Sequence, residues 1–346
     1  MGVFSSGGVG IDLGSANVTI FLENEGVVLR EPSYVLSLCE NPEHVLAVGR
    51  DARQMLGRTP RQAVLLSPVM DGAVGDQELA SLLVRALSDK AIGRKRALER
   101  TRVVVSMAQG TTKVERQALE AAVRALGARK AALIRSTVAA AVGAGVPIAE
   151  PKGVMVVNIG GSTTEVAVLS IHGVVATRSM RTGGMALDEA IIRYIRNEKG
   201  LVIGQRTAED LKIDIGSAKD MGPESAHDVL LRGRDARTGK PSTVSVSPRE
   251  VYRAILQPLQ VLLENIREAF ENTPPELAAD ILERGIYLSG GGARLEGLSD
   301  RLSGLLKLPV HMGEAPEDDV AAGAGAVASD EKLAAKLLQT GCLIEL

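Results

Sequence analysis

The sequence contains two copies of one short pattern, in which a strand, a glycine turn and a second strand follow one another. In the first copy, residues 9–28, the apolar run of the first strand reaches Asp12, and a glycine follows two residues later. In the second copy, residues 152–175, the equivalent run reaches Asn158 and again a glycine follows. Internal similarity at matched offsets predicts a chain built from two alike halves. This duplication constrains the fold more than any other feature.

The tips of both predicted hairpins are rich in glycine and hydroxyl side chains. Ser15 follows the first glycine, whereas Ser162 and Thr163 follow a glycine pair in the second copy. Consecutive backbone amides at such a tip form an anion-binding concavity, and glycine lets a phosphate approach closely. Either tip alone could be an ordinary tight turn. Two tips that face each other across a cleft are predicted to hold a polyphosphate from both sides.

Composition excludes several other classes of function. With 346 residues the chain is long enough for two domains, and its net charge of −2 argues against nucleic acid as a partner. The absence of Trp, with four Tyr and three Phe, leaves few rings on which bases could stack. Cys39 and Cys342 lie far apart without metal-ligand spacing, which favours a reducing cytoplasm.

Two features of the sequence bear on a membrane. No apolar run is long enough to cross a bilayer and the N-terminus carries no signal-peptide pattern, so we expect a cytoplasmic protein. A basic loop, residues 93–98 (GRKRAL), is open to two interpretations. It is either a solvated turn or a tip whose cations meet anionic headgroups while Ala97 and Leu98 dip into the bilayer.

Apolar spacing and capping patterns predict the main helices. They cover residues 77–88, 112–126, 137–145 and 187–195. The third of these, TVAAAVGAG, consists of small residues and is predicted to be a hinge helix between the two halves. Ser247 and Glu250 form a capping box that opens a further long helix, and residues 273–276 (TPPE) are predicted to repeat that device.

A third glycine turn, residues 290–293 (GGGA), lies between a predicted strand and a predicted helix. This arrangement is another natural seat for an anion or a nucleotide. It is not the dinucleotide-binding fingerprint, because the third glycine and the acidic ribose ligand of that motif are missing. The sequence also contains no G-x-x-x-x-G-K-[ST] phosphate-binding loop.

Motifs spread over nearly the whole chain carry a resemblance to one family. They are GIDLGSAN, REPSYV, AVGRDARQMLGRTP, MDGAV, AAAVGAG, VVNIGGSTTEVAV, DEAIIRYIR, IGQRTAEDLKIDIGSA and GIYLSGGGARLEGL. On these motifs the sequence resembles the MreB/Mbl family of the actin-like ATPase superfamily. The resemblance implies an α/β, actin-like fold, in which two RNase-H-like domains, each with a small inserted subdomain, surround a central nucleotide cleft.

The resemblance also implies the division of the chain. The first domain is expected to comprise residues 1–32, 65–145 and 313–346, with an insert at 33–64; the second comprises 146–182 and 248–312, with an insert at 183–247. The implied function is a cytoskeletal filament that lies on the inner face of the cell membrane, organises cell-wall synthesis and determines cell shape. The implied partners are other copies of the chain, the inner membrane surface and the cell-wall elongation machinery. Whether a paralogue also takes part stays open. The implied ligands are ATP or ADP and Mg²⁺.

Carried over residue by residue, the resemblance implies a set of nucleotide-binding positions. The first phosphate loop is expected at Asp12, Gly14, Ser15, Ala16 and Asn17, and the second at Asn158, Gly160, Gly161, Ser162 and Thr163. Glu209 and Lys212 are expected to face the ribose or base, and Gly290, Gly291, Gly292 and Ala293 the adenosine. Asp12 and Asn158 are expected to reach Mg²⁺ through water.

The departures from the family pattern concern catalysis. Asn158 stands where the family has Asp, and Ser162 where it has a third glycine. Ser136 and Thr137 stand where the family has a Glu, which orients the attacking water, and a Pro; Arg135 replaces an acidic neighbour. Phosphoryl transfer depends mainly on positioning, so we expect ATP binding to be kept while hydrolysis is slow or lost. Two alternatives remain: a fully active filament ATPase, or a small-molecule kinase of the same superfamily, which would need a carboxylate base.

Overall fold

The computed structural model describes residues 7–93, 97–220 and 227–346. Its strands are β1 Gly8–Leu13, β2 Asn17–Leu22, β3 Gly26–Pro32, β4 Val35–Leu38, β5 Asn41–Val48, β6 Ala63–Leu66, β7 Val69–Met70, β8 Ala73–Val74, β9 Arg102–Met107, β10 Lys130–Arg135, β11 Val154–Ile159, β12 Thr164–Ser170, β13 Gly173–Met180, β14 Leu201–Val202, β15 Val229–Asp235, β16 Pro241–Val246, β17 Ile286–Ser289, β18 Val310–Met312 and β19 Leu343–Glu345.

The helices alternate with these strands. They are α1 Gly49–Arg53, α2 Gln77–Ile92, α3 Lys113–Arg124, α4 Ser136–Gly143, α5 Gly184–Lys199, α6 Gln205–Ile215, α7 Pro248–Glu271, α8 Pro275–Arg284, α9 Leu298–Leu306, α10 Asp319–Ser329 and α11 Glu331–Gln339.

Two large sheets repeat one topology. The first has the order β19-β10-β9-β1-β2-β3, and the second has the order β13-β12-β11-β17-β18. In each, a hairpin (β1–β2 or β11–β12) continues antiparallel into a third strand and pairs in parallel with a strand from later in the chain. The duplication predicted from the sequence is therefore present in the strand order, and β19 is an added edge strand of the first sheet.

The apolar runs that predicted buried strands lie in the centres of these sheets. Every residue of β11 from Val154 to Val157 is at most 1% exposed, as expected for a strand covered on both faces. Its counterpart β1 buries Val9 and Ile11 in the same way. Helices on the outer faces complete the layers, α2 and α3 against the first sheet and α7, α8 and α9 against the second.

Each half also carries a small sheet. The order β5-β4-β6, with α1, forms the first, and the order β14-β15-β16, beside α5 and α6, forms the second. Residues 237–240 lie in the loop that joins β15 to β16. The strands of the first small sheet lie within residues 35–66 and those of the second within residues 201–246.

The two large sheets share one core built around α4 and α10. This core contains side chains of the first sheet, such as Ile134, and of the second, such as Val156. Where α4 crosses α10, the Cα of Gly143 faces the carbonyl of Asp319 and the Cα of Gly323 faces the carbonyl of Ala139, so closely that neither position has room for a Cβ atom. The small-residue segment that predicted a hinge helix thus crosses closely over α10, and it packs against the second sheet while α10 packs against the first.

Two local predictions are wrong. Thr273 does not cap α8, because Pro274 is the residue that precedes the helix and the Thr273 hydroxyl donates instead to the Ala269 carbonyl in the last turn of α7. Leu98 cannot dip into a bilayer, because it is 4% exposed and packs in the core of the first sheet. The basic side chains predicted at the same tip, residues 94–96, lie outside the described residues.

The capping prediction at the start of α7 is confirmed. Ser247 and Glu250 exchange hydrogen bonds there, with Pro248 in the first turn of the helix. Gly127, two residues after the cap of α3, has a positive φ of 72°. Within the described ranges, none of the helices combines the length and the apolar composition that a bilayer crossing requires.

The crossing of α4 and α10 yields a test. Gly323→Ala would drive a methyl group into the Ala139 carbonyl, and overpacking of this kind destabilises by roughly 1–3 kcal/mol. Gly304→Ala in α9 is the matched control, because nothing lies within 4 Å of its added Cβ and Ala is a better helix former by about 0.5–1 kcal/mol. Chemical denaturation of both variants should therefore show opposite shifts. A Gly323→Ala variant as stable as the parent protein would contradict the close crossing.

Candidate functional site

A cleft of about 480 Å³ lies between the two large sheets. Both hairpin tips, the glycine turn after β17 and residues of α5 and α6 line this cavity. Its volume lies within the range of pockets that hold small molecules and cofactors. The sequence predicted the three glycine turns separately, and the fold brings all of them to one cavity.

The two hairpin tips have the same internal hydrogen bond. Gly14 N donates to Asn17 O at 3.0 Å, and Gly160 N donates to Thr163 O at 2.8 Å. Because these residues are equivalent in the duplicated pattern, the two turns have the same construction. The amides of Ser15 and Gly161 make no backbone hydrogen bond within the described part of the chain, which leaves them for a ligand. Both tips therefore offer the amide concavity that phosphate binding needs.

The two tips touch each other across the cleft. Ser15 Oγ lies 2.6 Å from Ser162 Oγ, so that one hydroxyl donates to the other, and Gly72 N donates to Ser15 Oγ at 3.3 Å. A Cβ at Gly161 would lie 2.7 Å from the Ala16 Cβ, which requires glycine at this point. Ser162, one of the departures from the family pattern, thus forms part of a contact that joins the halves.

Asp12 lies at the bottom of the cleft beside the first tip. Ser106 Oγ, at the end of β9, donates to Asp12 Oδ1 at 2.6 Å, and Leu13 N donates to Ser106 Oγ at 3.2 Å. Burial raises the pKa of the Asp12 carboxyl, and the hydrogen bond from Ser106 opposes that shift. A buried carboxylate with a single protein donor has acceptor sites left for water or a cation's hydration shell.

Asn158 occupies the equivalent position in the second hairpin. A Cβ at Gly290 would lie 2.6 Å from Asn158 Oδ1, and Gly290 has a φ of 84°, so this turn needs glycine for both space and conformation. Gly291 and Gly292 line the cavity with it. Ala293 does not, because its side chain is 2% exposed in the core of the second sheet.

Glu165 and Ser136 form a buried pair below the tips. Glu165 is 2% exposed, and its carboxylate accepts short hydrogen bonds from the Ser136 hydroxyl and from Gln109 N. Burial raises the pKa of the Glu165 carboxyl, whereas the hydrogen bonds from Ser136 and Gln109 N lower it and the charge of Asp12 raises it further. Arg135 is turned away from the carboxylate and donates to Gln109 Oε1 at 3.1 Å.

The mouth of the cleft carries two ion pairs. Arg53 of α1 pairs with Glu209 of α6, which joins the two small sheets across the opening. Lys212 Nζ lies 2.8 Å from Asp188 Oδ1 and donates to Gly184 O at 3.0 Å. Burial raises the pKa of the Asp188 carboxyl, and the charge of Lys212 opposes that shift. Glu209 and Lys212 therefore line the cavity as predicted, but each already holds a protein partner.

All the predicted binding residues except Ala293 line this one cavity. Sequence reasoning missed several polar side chains that line it with them, among them Arg53, Ser106, Glu165 and Asp188. For Glu165 a signal existed, because the repeat aligns it with Thr19 and the hairpin pairs Asn158 with Glu165 as it pairs Asp12 with Thr19. Residues directly opposite in a hairpin share one face, so Glu165 had to face the cleft with Asn158.

The described residues contain no group of three or more His, Cys, Asp or Glu side chains that could hold a metal ion by themselves. Mg²⁺ is often held by one or two protein oxygens together with substrate phosphates and water. Asp12 and the amide oxygen of Asn158, one on each hairpin, suit that kind of site and no other kind of metal site.

Asp319 lies at the start of α10 and is 7% exposed. Burial raises the pKa of its carboxyl to about 6, the charges of Asp318 and Glu317 add to the shift, and a hydrogen bond with Ser289 opposes it. Its Oδ2 is buried and has no hydrogen-bond partner among the described residues. The folded protein therefore keeps this carboxyl protonated up to about pH 6.

Comparisons with known proteins place this cleft in a family. A sequence model of the MreB/Mbl protein family matches residues 6–336. The cell shape-determining protein Mbl of Bacillus subtilis strain 168 is 40% identical over 318 residues, which cover 92% of this chain and 94% of that protein. The cell shape-determining protein MreB of Escherichia coli strain K12 is 41% identical over 327 residues, 94% and 93% of the two chains.

Solved structures have the same fold. MreB5 of Spiroplasma citri bound to AMPPNP has a TM-score of 0.86 and 31% identity, covering 96% of this chain and 98% of that one. The MamK double helical filament has a TM-score of 0.73 and 18% identity, covering 93% and 98%. The fold is thus actin-like, as the sequence predicted.

Asp319 makes stability depend on pH. Its pKa is about 6 in the folded protein against an ordinary 3.8, so its favourable contribution is complete below pH 3.8 and is lost as the pH rises through 6. Asp319→Asn removes this dependence, and the variant should gain a few degrees in Tm relative to the parent protein between pH 4.5 and pH 7. Thermal melts across that range measure the difference between the two proteins. A difference that stays constant with pH would contradict the assignment.

Proposed function

The chain belongs to the MreB/Mbl family of actin-like cell shape proteins, and on that basis we propose that it binds ATP and ADP between its two large sheets. One observation carries the proposal: two equivalent hairpin tips meet across a single cavity that also contains a third glycine turn. A polyphosphate chain fits such a pair of tips because each presents backbone amides to it. The relative from Spiroplasma citri, solved with AMPPNP and with ADP, supports the same ligand class.

The cleft divides into a phosphate end and a nucleoside end in this proposal. The tips at Gly14–Asn17 and Gly160–Thr163 hold the phosphates, and Asp12 and Asn158 hold Mg²⁺ through water. Gly290, Gly291 and Gly292 leave space for the adenosine, because side chains there would fill the seat. Glu209 and Lys212 contact the ribose or base in this proposal. To do so, Glu209 has to leave its ion pair with Arg53, and Lys212 its ion pair with Asp188.

Hydrolysis is weakened in this proposal but binding is not. Ser136 stands where the resemblance to the family implies the water-orienting Glu, and its hydroxyl donates to Glu165. Asn158 keeps an oxygen toward the metal but brings no negative charge. Both changes reduce the positioning of water, which supplies most of the catalysis in phosphoryl transfer. The alternative, a fully active filament ATPase, is favoured by the carboxylate of Glu165.

The two halves form two domains in this proposal, divided as the sequence predicts. Residues 1–32, 65–145 and 313–346 supply the first large sheet and 146–182 and 248–312 the second, with the small sheets as inserts. Strand membership supports the division, because no strand of one large sheet comes from the residues assigned to the other. Closure of the cleft on nucleotide then sets the shape in which copies of the chain add end to end, since contacts between different surfaces generate filaments.

The cellular role that we propose is a filament on the inner face of the cell membrane that organises cell-wall synthesis. The names of the relatives from Bacillus subtilis and Escherichia coli support the role in cell shape, and the MamK double helical filament supports assembly of this fold. Membrane contact rests on the basic sequence of residues 94–96, without the contribution from Leu98 that the sequence suggested.

Sedimentation tests the proposal directly. Purified protein should pellet with ATP more than with ADP or without nucleotide, and anionic vesicles should increase the pelleted fraction. Phosphate release measured in the same tubes should be slow. If the protein showed no affinity for any adenine or guanine triphosphate, the proposed function would be wrong, and the filament proposal that depends on it would lose its basis.

Restoring the missing groups should raise turnover. Ser136→Glu with Asn158→Asp returns the carboxylate that orients water and the charge beside the metal, so phosphate release per bound ATP should rise by about 10²-fold, the usual effect of one positioned base. Asn158→Asp alone is the control for metal affinity, because it changes the charge without adding the water-orienting group. Unchanged turnover in the double variant, with ATP still bound, would contradict the proposed reason for slow hydrolysis.

A further inference from the structure

The buried carboxylate of Glu165 has no assigned role in the site described above. It lies on β12 of the second sheet, yet its hydrogen-bond donors all belong to segments next to the first sheet. These donors are the Ser136 hydroxyl at the start of α4, Gln109 N and Gly110 N. Glu165 therefore spans the bottom of the cleft and has a fixed position relative to both hairpins.

The duplicated hairpins differ in where they carry acid. In the first, the cross-strand pair is Asp12 and Thr19, and in the second it is Asn158 and Glu165. The second hairpin therefore has a neutral side chain on its first strand, β11, and its carboxylate on its second strand, β12. This carboxylate lines the same cavity. The phosphate end of the cleft retains two carboxylates, one from each hairpin.

Four other acids of the cavity are engaged elsewhere. Asp188 pairs with Lys212, Glu209 with Arg53, Glu317 with Arg30 and Arg294, and Glu115 accepts the Thr112 amide in the cap of α3. Asp12 is assigned to the metal in the proposed function. Asp214 and Glu296 also line the cavity, but neither lies on a hairpin, so Glu165 is the hairpin carboxylate that remains for a water molecule.

Its hydrogen bonds leave room for that water. A carboxylate has about four acceptor positions, of which Ser136, Gln109 N and Gly110 N fill three. The three donors fix the side chain, and the cavity lies on its open side. A water that donates to the fourth position would lie between Glu165 and the cavity that the two hairpin tips line.

We propose that Glu165 is the catalytic carboxylate of this protein, holding the attacking water in place of a Glu at position 136, and that Ser136 is its positioning residue. The proposal rests on the proposed nucleotide binding, and it makes hydrolysis slow rather than absent. The water oxygen bonds to the terminal phosphorus, and the bond from that phosphorus to the bridging oxygen breaks with its electron pair left on the diphosphate. The proton of the water passes to Glu165 and then to the released phosphate, so that ATP and water give ADP and phosphate.

Glu165→Gln tests the catalytic role. The amide keeps the size of the side chain and an oxygen for Ser136 but cannot take the proton, so phosphate release should fall by about 10²-fold while ATP affinity stays the same. The matched control is Glu31→Gln, a buried carboxyl that binds Lys90 and Arg50 N and does not line the cavity. The control should retain the parent turnover even where it lowers stability.

Two further variants separate positioning from a structural link. Ser136→Ala should lower kcat and leave KM for ATP unchanged, and Ser136→Thr, which keeps the hydroxyl, should restore kcat. Glu165→Gln combined with Ser136→Glu moves the carboxylate to the other side of the same hydrogen bond and should recover turnover that Glu165→Gln loses. These comparisons remain informative if Glu165→Gln alone does not fold.

The outcomes distinguish this inference from the proposed function. Fluorescent ATP bound by the parent protein, with no phosphate release above background, would overturn the role of Glu165 and leave nucleotide binding intact. Parent turnover in Glu165→Gln, or equal kcat in Ser136→Ala and the parent protein, would also overturn it. Absence of ATP binding would instead contradict the proposed function itself.

Discussion

The close crossing of α4 and α10 is the contact on which the rest of the structure depends. Side chains are absent where the two backbones meet, because Gly143 and Gly323 each face a carbonyl of the opposite helix. The same two helices fill the core shared by both large sheets. A contact this close leaves the two helices few relative arrangements, since packed interiors resist even one added methyl group. Because α10 packs against the first sheet and α4 against the second, the crossing ties the two sheets together.

The cleft shows how a duplicated element can be put to different uses in two halves. Both hairpins keep the backbone bond that shapes their tips, from Gly14 N to Asn17 O and from Gly160 N to Thr163 O. They differ in one cross-strand pair beside each tip. The acid of this pair lies on the first strand in the first hairpin (Asp12 opposite Thr19) and on the second strand in the second hairpin (Glu165 opposite Asn158). In the proposed function, the backbone therefore supplies anion binding twice, and the side chains assign the cation to Asp12 of the first hairpin and the water to Glu165 of the second.

Much of this arrangement follows from the sequence, and the failures have physical causes. Apolar runs and glycine turns, repeated at matched offsets, predicted both hairpins and so the cleft. The resemblance marks Ser136 as a departure, but its bond to Glu165 joins residues brought together only by tertiary packing. Thr273 does not cap α8, because its hydroxyl donates to the Ala269 carbonyl of the preceding helix, α7. The spacing of residues in the sequence does not show which of these two hydrogen bonds forms.

Ser15 and Ser162 join the two halves at the place where a phosphate is proposed to bind. The angle between the halves and the binding of a phosphate are therefore coupled. In the proposed function, a phosphate seated between the tips replaces their mutual hydrogen bond and so changes the opening of the cleft. Linkage then works in both directions. A neighbouring molecule that binds the chain at one opening angle would change its affinity for nucleotide, and nucleotide would change the affinity for that neighbour by the same factor.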